Sequence, residues 1–83
     1  MDIEKHDLHH EFPENAETIH YLKMHDHHFA HLFEQYHTID HEIHRIETGA
    51  EVSGDEYIEN KKKERLKLKD ELYQMMLAHE KKQ

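Results

Sequence analysis

Cysteine is absent from this sequence, so neither a disulfide nor a thiolate metal site can brace the chain. Long apolar runs are missing as well. That excludes a membrane-spanning helix and a signal-peptide core, and makes a soluble cytoplasmic protein the expectation. Hydrophobic residues make up 35% and charged residues 36%. A single core of that composition contributes only about a few kcal/mol net, and helical chains of this size often lean on self-association. Proline occurs once and glycine twice. Pro13 suits the first turn of a helix, where a missing N–H costs nothing. Both glycines fall in TGAEVSG, residues 48–54, the one obvious turn.

What the chain does have is helical periodicity. Phe29, Leu32, Tyr36, Ile39, Ile43 and Ile46 recur at intervals of three and four residues, with Phe33 widening the line. That spacing makes one apolar stripe on an α-helix; a strand would need alternation with period two. A second helical run extends from about Gly54 to His79. It places Tyr57, Ile58, Leu68, Leu72, Met75 and Met76 within one face. Lys61 and Arg65 interrupt that face, and their stems can lie along it while the charges stay in water. Leu66, Tyr73 and Leu77 form a separate line on roughly the opposite side. A two-helix hairpin has no use for a second apolar face. These three residues are therefore the candidate interaction surface, to be covered by an N-terminal helix or another subunit. A homo-oligomer, most simply a two-fold dimer, is the expectation, together with a protein partner that the sequence does not identify.

Residues 1–83 read as one all-α domain, an antiparallel helical hairpin of two long helices preceded by a short one. The expected pieces are a mobile arm over 1–12, a short helix over 13–24, a helix over 27–48, a turn at 49–53 and a helix over 54–80. The pattern weakens at Met24–His28, where Asp26 is a good N-cap for a new helix. Gly49 suits the position just past a helix end. Ser53 with Glu56 fits a capping box.

Charge supports the hairpin. Residues 1–56 hold three Lys/Arg against fourteen Asp/Glu, a balance of −11, whereas residues 57–83 hold eight against five, or +3. Folding the basic part back on the acidic part relieves repulsion. The formal charge of −8 argues against a nucleic-acid footprint. The basic run Lys61–Lys69 goes right round its helix instead of forming a stripe.

The arrangement resembles the YdcH-like family of small bacterial proteins, a family defined as a domain of unknown function. The matching pieces are HEFPE at 10–14, HFAHLFEQYHTIDHEIHRIE at 28–47, the Ser53/Asp55 turn and KKKERLKLKDELYQMM at 61–76. The last of these is the most specific. The resemblance implies a helical hairpin that can self-associate, with no established activity and no catalytic residues to carry over. Family members often have Asn-Pro near Asp26-His27, where this chain has His in place of Pro. It also carries a heavier histidine load.

Twelve histidines are the compositional oddity. His27, His31, His37, His41 and His44 are the metal-ligand candidates, because the pairs His27/His31, His37/His41 and His41/His44 have chelating helical spacing. A structural zinc site wants four ligands and a catalytic one three plus water, and no such gathering is visible. The expectation is solvated histidines that titrate without consequence and no metal or other cofactor. A histidine-rich metal-binding or metal-buffering protein is the alternative. HExxH is absent, since His41-Glu42 is followed by His44 at the wrong spacing. Asp40 and Asp70 are the carboxylates best placed to pair with a base across the hairpin. With no phosphate-cradling glycine loop and no nucleophile beside a histidine, catalysis is not expected, and no catalytic residues are assigned. A structural or protein-interaction module is the leading expectation.

Overall fold

The computed structural model describes residues 7–82. In order come α1 (Leu8–Glu11), a 3₁₀ turn (Pro13–Asn15), α2 (Ala16–His25), α3 (His27–Glu47) and α4 (Asp55–Lys81). Every regular element among the described residues is helical. The two long helices, α3 and α4, form the hairpin. Its antiparallel sense follows from two contacts at different heights. Phe29, at the start of α3, shares a buried cluster with Leu72 and Met76 near the end of α4. Halfway along, Arg65 of α4 reaches Asp40 of α3 at 2.9 Å.

The junction between α2 and α3 is made by Asp26. Its backbone is extended (φ −127°, ψ 108°), which ends α2, and its Oδ1 accepts a hydrogen bond from the Phe29 N–H at 3.0 Å. One otherwise unsatisfied donor of the new helix is thereby answered. At the other end of α3, Gly49 takes φ +84°, and its N–H donates to the Ile46 carbonyl. An L side chain adopts that conformation only at a cost, so glycine ends the helix here. The expected capping box at Ser53 does not form. Gly54 is the N-cap of α4, and the Ser53 hydroxyl donates to the Gly54 carbonyl instead. Asp55 and Glu56 still lie in the first turn, at the positive end of the helix dipole.

The core is off-centre. Leu8, Ile19, Leu22, Phe29, Leu32, Tyr36, Leu72 and Met76 form one buried cluster, with Phe12, Phe33, Leu68 and Met75 packed against it. It therefore sits where α1 and α2 cover one end of the hairpin. Toward the turn only Ile43 is fully buried; Ile39 and Ile46 of the same stripe are half-buried. There α3 has a single helical neighbour among the described residues, and two helices facing each other bury only a narrow seam.

This packing changes the expected mobile arm. Residues 1–6 lie outside the described residues, but Leu8 is fully buried and Phe12 packs on the core. Isolated apolar residues without a period cannot be read as an element from sequence, yet each fills space left by α2 and α4.

Candidate functional site

The site is built on α4, the helix with two apolar lines. Its inner line holds Leu72 and Met76, both fully buried, with Leu68 and Met75 half-buried beside them. Tyr57, expected on that line, is 44% exposed. It neighbours Ile58, and adjacent residues 100° apart cannot both point into a narrow seam. The outer line splits into three environments. Leu66 is 53% exposed. Tyr73 is 37% exposed, with its ring stacked on Phe12 at 5.1 Å between centroids. Leu77 is half-buried. The N-terminal segment thus covers the far end of the line and leaves Leu66 open.

That cover is polar as well as apolar. Asn15 Nδ2 and the Thr18 hydroxyl donate to the Glu80 carboxylate at 2.6 and 2.9 Å, and the Tyr21 ring stacks on His79. Lys69 lies 3.7 Å from Glu11. No apolar period announces these contacts, which are made by Glu11, Asn15, Thr18 and Tyr21. The one available signal was Phe12, a large apolar residue immediately before the proline that opens the first turn.

Between α3 and α4 the acidic and basic halves meet in register. Arg65 binds Asp40 with both side chains only 14% exposed, Lys61 lies 3.5 Å from Glu42, and Lys62 lies 3.5 Å from Glu47. Asp40 thus does pair across the hairpin, and the base it meets is Arg65. Arg45 reaches Glu51 in the turn at 3.4 Å. The Tyr57 hydroxyl donates to Glu42, which holds that carboxyl below the usual carboxylate range; desolvation opposes the shift and Lys61 reinforces it. The same bond pushes the Tyr57 hydroxyl up. Burial raises the Tyr36 hydroxyl well above its ordinary value, and Asp40 adds to this, so Tyr36 stays neutral in the core. On the open side, His31, Glu34, Gln35, Thr38, Ile39, Lys61 and Glu64 line a groove of about 360 Å³.

The histidines are spread out. His27, His31, His41 and His44 are exposed on α3, and among the described residues no three His, Asp or Glu gather as metal ligands. His37 differs from these four. Its ring packs against Phe33 at 4.4 Å and meets Tyr36 edge-on at 5.8 Å, and its Nε2 is buried without a hydrogen bond to another protein group. Burial lowers its pKa, against the opposing pull of Asp40. In the sequence His37 follows Tyr36 of the stripe, which does not show what packs over it.

Among the described residues no helix is long and apolar enough to cross a membrane. Neither a curated protein nor a solved structure matches the chain. A family model does match, over residues 29–76, which takes in the long α3 stripe, the turn and the inner line of α4 but stops short of HEFPE at 10–14. On that match the chain belongs to the family described as "Protein of unknown function (DUF465)", the family that contains the YdcH-like small bacterial proteins.

Proposed function

We propose that the protein is a non-catalytic structural or interaction module of the cytoplasm, a helical hairpin that associates with its own copies and docks a protein partner through helix faces. The observation that carries this reading is the outer line of α4. Leu66 lies more than half exposed about two helical turns from Tyr73, on the side of α4 that α3 does not use. Burying a leucine is worth about 1.5–3 kcal/mol, a large share of what so small a domain gains by folding. A second chain laid along α4 would recover that burial at Leu66 and at Tyr73 together. The thin shape supports a surface role over a pocket role. Its shortest extent is 17 Å, less than two helix diameters of about 10 Å each.

Light scattering tests the self-association. The intact chain is expected to run as a dimer at tens of micromolar, an order-of-magnitude choice for a weak dimer. Leu66→Glu is expected to give a monomer with unchanged helicity, because the side chain is exposed within one chain. A wild type that stays monomeric at that concentration removes the self-association, and a variant that still dimerises removes Leu66 from the interface.

A further inference from the structure

The hairpin has an open seam that the N-terminal helices do not line. The groove at His31 and Lys61 continues into a second hollow of about 260 Å³, since Gln35, Ile39 and Glu64 line both. Every lining residue belongs to α3 or α4, so among the described residues no part of α1 or α2 walls it. Its floor is apolar, with Leu32 buried and Ile39 and Leu68 half-buried. From Lys61 to Glu71 it runs about 15 Å along α4, at 1.5 Å per residue. An apolar furrow between two helices is a seat for a third.

The exposed line of α4 matches that seat in length and in charge. Leu66 and Tyr73 stand about 10 Å apart along the helix, within the length of the groove. Leu66 is two residues from Glu64 and from Leu68, and Tyr73 is two from Glu71. At about 100° per residue, each lies about 160° round α4 from the groove wall. A chain cannot place its own line in its own groove, but a second copy can. The groove holds Glu34, Glu64 and Glu71 against Lys61 and Lys67, and Lys61 is already shared between Glu42 at 3.5 Å and Glu64 at 4.0 Å. Residues 61–69, which carry Leu66, hold six Lys/Arg and one Glu, a balance of +5. Lys63, three residues before Leu66, makes no ion pair among the described residues, and neither do Glu34 and Glu71.

We propose that this groove receives the exposed α4 line of a second copy, Leu66 of one chain lying over Ile39 and Leu68 of the next, with Lys63 against the acidic walls. Given the association through Leu66 proposed above, on which this rests, the contact joins two unlike faces. Line and groove lie on nearly opposite sides of α4, so two chains cannot exchange both contacts at once. A joined pair keeps one free groove and one free line, and association runs on as an open series with the dimer as its first step.

Light scattering on variants of the full chain, alone and mixed, tests it. Leu66→Glu spoils the line and Gln35→Arg spoils the groove. Both side chains are exposed, so both variants should keep the helical circular dichroism of the wild type. Each alone is expected to be monomeric at tens of micromolar, an order-of-magnitude choice for weak association. Mixed in equal amounts they should form a one-to-one pair and stop there, because one brings an intact groove and the other an intact line. The wild type should pass the dimer mass as its concentration rises. A Gln35→Arg chain that associates like the wild type overturns the contact and leaves the groove to a helix of another protein, while the Leu66 reading stands. A mixture that stays monomeric overturns it too, as does a wild type that stops at the dimer. A wild type that is monomeric throughout removes the Leu66 reading and this contact together. Should Gln35→Arg lose its helices, Glu71→Lys on the other wall takes its place in the same mixing test.

Discussion

At the scale of single residues, polar side chains with one committed partner set the geometry of this protein. Asp26 is the clearest. Its carboxylate caps α3 while its backbone ends α2, so one residue makes the corner that brings the Ile19/Leu22 face onto the hairpin. Asp26→Ala should cost about 1 kcal/mol of unfolding free energy by urea titration, and an unchanged midpoint would show that the corner is held elsewhere. Arg65 and Asp40 are a second case. Either truncation leaves a mostly buried charge without its partner, so each should cost about 1–3 kcal/mol. A double-mutant cycle should return a clear coupling, whereas additive losses would reduce the pair to surface decoration. His37 adds a pH dependence with a definite sign. Its folded pKa lies below the ordinary value, so below about 6.5 the unfolded chain binds more protons than the folded one. Its contribution to stability is complete above that pH, is lost as pH falls toward the folded midpoint and levels off beneath it. Urea midpoints at pH 7.5 and 5.5 should therefore fall less for His37→Gln than for the wild type. Equal falls would assign the dependence to other groups.

At the scale of elements, the two long helices differ in how they are held. Helix α3 has a firm start at Asp26, a firm stop at Gly49 and four buried side chains along one stripe. Helix α4 is longer but buries only Leu72 and Met76. Its sides depend on neighbours of opposite charge and on the N-terminal segment. Leu72→Ala should accordingly cost about 2–5 kcal/mol, the range for a buried leucine; a loss under about 1 kcal/mol would mean that the cluster closes over the gap. Gly49→Ala separates backbone from packing. Nothing lies within 4 Å of a Cβ placed there, so the whole effect must come from its φ of +84°. About 1–2 kcal/mol should be lost. A neutral result would show that the turn rearranges freely, with no tie to the helix end.

At the scale of the whole molecule, the core lies at one end and the charge pairs run along the rest. Ion pairs at the surface contribute little each, about 0–1 kcal/mol. The turn half of the hairpin is therefore the looser half, although its charges fix which way α4 lies. The dispersal of the histidines is equally global. Chelating pairs on one helix face stay pairs because, among the described residues, no second element brings a third ligand to them. Calorimetric titration with zinc should show weak heats without saturation. Stoichiometric binding below micromolar would instead mean that association between chains assembles a site that one chain lacks, and would favour a metal-buffering role.

Much of this was legible in the sequence, because it depends on neighbours along the chain. Stripe spacing gave the long helices, Asp26 and Gly49 gave their ends, and the segregation of acidic from basic residues gave the antiparallel sense. Local chemistry suffices for each of those. What only the tertiary structure decided involves residues distant in the chain. Leu8 and Phe12 have no periodicity to mark them, and they matter only because α2 and α4 leave space that fits them. Arg65 is the base that takes Asp40, because the register of α4 on α3 sets which base arrives at that height. In the sequence His37 is one more helical histidine among many. Its difference arises from what packs over it, and burial is a property that no stretch of sequence carries by itself.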